Sequence, residues 1–133
     1  MASFNAHVEL VRQNTSLLDG MLIPAVQQHP DWVVTVAFYT ALHMVEAMLF
    51  DDFPDKHTSH HSERHNVLQG ARYSHIWYDY RPLYAQSRLA RYLQTAAGKD
   101  IASFASYSRP NTIVPNFIDG HLAKVRQETE QVI

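Results

Sequence analysis

Apolar residues come in blocks separated by short polar breaks, and within the blocks they recur every three or four positions. That spacing is the period of an α-helix, not of a strand. Phe4, Val8, Val11, Leu17, Leu18 and Met21, followed by Pro24, predict an amphipathic helix over 4–23, with Gly20 weakening its last turn. The densest block runs from Pro30 to Phe50 and is apolar on nearly every side. It predicts the central, buried helix, with Pro30 and Asp31 suited to its first turn. Its least apolar strip combines Thr35, Tyr39, His43 and Glu46, which a rotation of about 100° per residue places within about 80° of one another.

Residues 51–60 are polar and broken by Pro54, so a loop is expected there, with Ser59 capping a short helix over 61–68 that Gly70 ends. Residues 74–97 read as helical, interrupted or restarted at Pro82. Leu83, Leu89, Ala90, Leu93, Ala96 and Ala97 share a face about 140° wide there, and Arg81, Tyr84, Arg88, Arg91 and Tyr92 occupy the other side. A linker containing Gly98, Pro110 and Pro115 leads to a last helix over 116–132, weakened by Gly120. No alternation of strand type exceeds four residues, and no internal repeat or low-complexity tract is present. The expected fold is a single all-α domain over 1–133, an antiparallel bundle of four to five helices.

Composition narrows the chemistry. With 133 residues, 46% hydrophobic, 18% charged and a net charge of -2, the chain suits one folded domain and neither a disordered segment nor a uniformly basic nucleic-acid binder. Cysteine is absent, which excludes a disulfide scaffold, a zinc ribbon and thiol catalysis, and leaves His, Arg, Tyr and carboxylates as the reactive groups. The segment from Trp32 to Phe50 has the length of a membrane span but contains His43 and Glu46, so the expectation is a core helix of a cytoplasmic protein with no membrane contact. The charge is unevenly distributed. Residues 57–92 hold five arginines against Glu63 and Asp79, a balance of +3, while the remainder carries -5.

Four histidines, His57, His60, His61 and His65, crowd into nine residues, and His75 follows. His61 and His65 would share a helix face at a spacing that can hold a metal, but the HExxH order is absent, and neither a metal nor any other cofactor is expected. Ser59, His60, His61 and Arg64 suit phosphate binding at a helix start. The same groups suit metal-free attack of a ribose 2′-hydroxyl on its phosphate, with His moving the proton and Arg stabilising the charge. Binding demands less than catalysis and ranks first. Tyr39, His43 and Glu46 are either a hydrogen-bonded core cluster or the lining of a cleft in which Glu46 raises the pKa of His43 or His61. The Arg81, Tyr84, Arg88, Arg91 and Tyr92 face fits a solvated helix surface, contact with single-stranded RNA or a nucleotide, or a dimer interface. Residues 57–92 as a whole should gain positive charge as their histidines protonate below about pH 6.5.

The strings DWVVTVAFYTALHMVEAML, SHHSERHNVL and YDYRPLYAQSRLARYL together resemble the HEPN domain family. Phe38, Tyr39, Ala41, Leu42, His43, Glu46 and Ala47 carry the first element, His61 and Arg64 the second, and Tyr80, Leu83, Ser87, Ala90, Arg91 and Tyr92 the third. The resemblance covers roughly residues 30–93 and implies a helical bundle that forms a homodimer. It also implies a family containing metal-independent ribonucleases and partners of nucleotidyltransferases or of toxin-antitoxin and defence systems. Catalytic members carry an Arg followed after four to six residues by a His. None of the eight arginines here meets that spacing, and only the reversed order, His60 or His61 before Arg64, occurs. The leading expectation is therefore a binding or regulatory module for RNA, a nucleotide or a partner protein. An endoribonuclease using His61 or His60 with Arg64 comes second, and a structural partner of a nucleotidyltransferase third.

Overall fold

The computed structural model describes residues 3–53, 61–94 and 99–130. Helix α1, Phe4–Leu17, starts on Ser3, whose hydroxyl accepts the Ala6 N–H at 3.2 Å. It runs on into one wide π-helical turn, Leu18–Leu22, so the apolar spacing that continues to Met21 follows a single helical path that changes pitch. Helix α2, Pro30–Asp52, is followed by α3, His61–Leu68, and α4, Ser74–Tyr92. A short α5, Phe104–Tyr107, precedes α6, Pro110–Ile113, which passes through a π-helical stretch, Val114–Leu122, into α7, Ala123–Thr129. Among the described residues no strand forms, and the bridge between Gln94 and Asp100 stands by itself.

Helix α2 is the axis of this all-α bundle, because a helix apolar all round satisfies its surface only when neighbours cover it on every side. Val33, Val34, Ala37, Phe38, Ala41, Met44 and Val45 are fully buried, and α1, α4 and the C-terminal helices pack around them. The helix is long and apolar enough to cross a membrane, yet 72% of its most apolar window is buried inside the domain. Hydropathy alone does not separate these two roles, and here the packing meets the demand.

Two boundaries differ from the sequence reading. Helix α4 continues through Pro82 without a break, held by Ile76, Tyr80 and Leu83, which the core buries on both sides of the proline. It ends at Leu93, the one non-glycine residue with positive φ (52°) among the described residues, so Leu93 is 40% exposed and leaves the apolar face expected of it. Ala96, Ala97 and Gly98 lie outside the described residues. The C-terminal helix begins at Pro110, and Pro115 stands inside it. Pro115 has no N–H to give to the preceding turn, which favours the wider winding. Gly120 fits that winding, since a Cβ there would lie 3.3 Å from the Pro115 carbonyl oxygen.

Candidate anion-binding site

The site is built outward from a buried ion pair. Glu46, in the middle of α2, and Arg64, on α3, are both withdrawn from solvent, and the Arg64 Nε donates to Glu46 Oε1. A charge buried alone would be costly, so this pair ties α3 to the core helix. Tyr80 lies buried beside it, and burial pushes its hydroxyl pKa up against the opposing pull of Arg64. Arg64 Nη1 lies 3.2 Å from His61 Nδ1. Arginine only donates, so Nδ1 must accept, which leaves the imidazole neutral with its proton on Nε2. The His61 pKa is lowered accordingly, first by burial and then by the Arg64, Arg91 and Arg88 guanidiniums.

The outer wall comes from α4, where Tyr84, Arg88 and Arg91 follow one another at helical spacing. The His61 ring lies 5.3 Å from Tyr84 and 5.9 Å from Phe38. Arg91 donates to the Tyr39 hydroxyl at 3.2 Å and to the Ser87 carbonyl at 3.3 Å, and its guanidinium stands 5.1 Å from the Tyr92 ring centre. The Arg88 guanidinium also stands over Tyr92, 5.5 Å from its ring centre. Among the described residues no carboxylate is in ion-pair reach of Arg88 or Arg91. Aromatic faces hold these two cations in place and leave their charge uncompensated. Along the same helix, His65, Trp77, Arg81, Tyr84, Arg88 and Tyr107 border a cavity of about 520 Å³. The His65 ring meets Tyr84 edge-on at 4.4 Å, and its pKa too is lowered, chiefly by burial.

Several expected residues therefore meet. His61, Tyr39, Tyr84, Arg88 and Arg91 form one neighbourhood, and Arg81 borders its extension. Arg64 adjoins His61 but faces inward, and Glu46 is occupied with it instead of lining a cleft. His43 goes elsewhere: its Nδ1 lies 2.9 Å from Nδ1 of His7 on α1. Its pKa is lowered to about 4, by burial first and by His7 second. Glu46 pulls it upward but is outweighed by burial and His7, so the rise that the cleft alternative implied for His43 does not occur. Of the five histidines in residues 57–92 that were expected to add charge below pH 6.5, His61 and His65 resist protonation. His57, Ser59 and His60 lie outside the described residues.

Sequence reasoning missed His7, although a signal existed. It stands three residues after Phe4 and four before Val11, inside the apolar stripe of α1, where a polar side chain needs a buried partner. It also missed His121, whose Nδ1 lies 2.9 Å from Asp79 on α4; no local pattern joins residues so far apart in the chain. No protein-family model, curated protein or solved structure matches the chain.

Proposed function

We propose that this protein is a HEPN-like binding module that holds the phosphates of single-stranded RNA or a nucleotide on the face formed by His61, Tyr84, Arg88 and Arg91. The observation that carries this reading is the pair of guanidiniums on α4 that stack on tyrosine and have no carboxylate partner among the described residues. Arginine in that state offers phosphate a bidentate donor, and the tyrosines offer a base a stacking surface. The Nε2–H of neutral His61 adds a third donor.

Binding is favoured over cleavage by the same hydrogen bond. A general base needs a free lone pair, and His61 spends its own on Arg64. Arg64 in turn is engaged by Glu46 and withdrawn from solvent. The test is labelled single-stranded RNA titrated by fluorescence anisotropy at low salt with EDTA, for the wild type and for Arg88→Ala and Arg91→Ala. Each variant is expected to weaken binding and to reduce the dependence of log K on log salt by about one. The RNA should stay intact. Loss of binding to RNA and nucleotides alike in the wild type would remove this reading, and products ending in cyclic phosphate would replace it with the endoribonuclease.

A further inference from the structure

A second cleft opens beside the N-terminal half of α4, where that helix meets the π-helical stretch. It encloses about 410 Å³ and is bordered by Trp77, Tyr78, Arg81, Pro82 and His121. One of its lining residues, His121, is tied to a buried carboxylate behind it. Asp79 is buried, and its Oδ1 accepts from Nδ1 of His121 at 2.9 Å, so the imidazole is held in one orientation and one tautomer. With the proton on Nδ1, the Nε2 lone pair is an acceptor on a residue that borders the cleft. Arg81, beside it, has no hydrogen bond or ion pair among the described residues. Trp77 and the largely exposed Tyr78 add aromatic walls.

An interhelix tie would need only the Asp79 bond. An oriented acceptor, an uncompensated guanidinium and two aromatic walls around a cleft of ligand size are what a binding site has in addition. We propose that this cleft binds a small planar ring that carries a hydroxyl or N–H donor and an anionic group. The ring lies against Trp77, its donor bonds to His121 Nε2, and its anion pairs with Arg81. The cleft shares Trp77 and Arg81 with the cavity beside the phosphate-binding face, whereas His121 borders only the cleft and Arg88 only that cavity, so substitutions at His121 and Arg88 separate the two readings.

Trp77 reports on the cleft directly once the second tryptophan is removed by Trp32→Phe. In that background we would titrate two sources of this chemistry, 4-hydroxybenzoate and adenosine monophosphate, with inorganic phosphate and adenosine as controls. A saturable change in Trp77 emission with at least one of the two compounds is expected. His121→Gln, which keeps an N–H for Asp79 but removes the ring acceptor, and Arg81→Ala should each weaken it about tenfold or more, while Arg88→Ala should leave it within about twofold. Circular dichroism and melting of each variant separate lost binding from lost folding. The proposal is overturned if neither compound saturates by ~10 mM, if a folded His121→Gln binds unchanged, or if Arg88→Ala abolishes the response. Equal affinity for inorganic phosphate alone would also overturn it. Loss of RNA binding with this response intact would sink only the phosphate-face reading.

Discussion

Arg64 and Arg91 belong to the same basic stretch and reach toward the same histidine, yet they end in opposite situations. Arg64 is buried, and its charge is met by Glu46; Arg91 is half-buried against Phe38, Tyr39 and Tyr92 and meets no carboxylate among the described residues. The first acts as an internal brace that fixes His61 through Nδ1, and the second keeps a charge that only aromatic rings and neutral oxygens meet. A positively charged segment is thus not one functional unit. What each cation does depends on whether a counter-charge reaches it before a ligand can.

The largest expected effect tests the brace. Arg64→Ala removes the guanidinium from the buried Glu46 carboxylate and should cost about 3–5 kcal/mol in denaturant unfolding, whereas the paired change Glu46→Leu with Arg64→Met should recover most of that loss. A loss below ~1 kcal/mol for Arg64→Ala would show that the pair is not the tie described.

Next comes pH. The unfolded chain takes up a proton on His43 near pH 6.5, but the folded protein does so only near 4. Protonation in that interval favours the unfolded state, so stability is full above 6.5 and declines as pH falls toward 4. For a half-buried ring screened by solvent, about 1–2 kcal/mol is expected from His43. Unfolding curves across that range should flatten in His43→Asn; an unchanged slope would mean that burial and the contact with His7 do not suppress protonation of His43.

Arg88→Ala tests the outward arm of the contrast. Stability should change by less than ~0.5 kcal/mol, while RNA affinity at low salt falls roughly three- to tenfold. A stability loss comparable to that of Arg64→Ala would erase the distinction between the two arginines. The smallest effect is expected at the end of the helix that carries Arg88 and Arg91. Leu93→Gly relieves a left-handed backbone at a partly exposed position, and a gain of up to about 1 kcal/mol should appear in thermal melts.

Helices α2 and α3 were legible in the chain because their limits are local signals, a proline at the start of α2 and a polar break after each. The uninterrupted α4 was not, because Pro82 disfavours a helix locally and only the burial of Ile76, Tyr80 and Leu83 on both sides compensates. Of the candidate site, the cluster of Tyr84, Arg88 and Arg91 could be read from helical spacing. The partition of Tyr39, His43 and Glu46 could not, since all three lie on one strip of α2 and each turns to a different neighbour, Arg91, His7 and Arg64.

The sequence by itself determined that the chain is all-α, that α2 is its core, and that positive charge gathers in the central third, because periodicity, hydropathy and charge are sums over neighbouring residues. Only the tertiary structure decided which cations are neutralised, which histidines are kept neutral, and that Asp79 and His121 meet. Electrostatic energy and desolvation depend on distances across the fold, and those distances have no trace in local spacing.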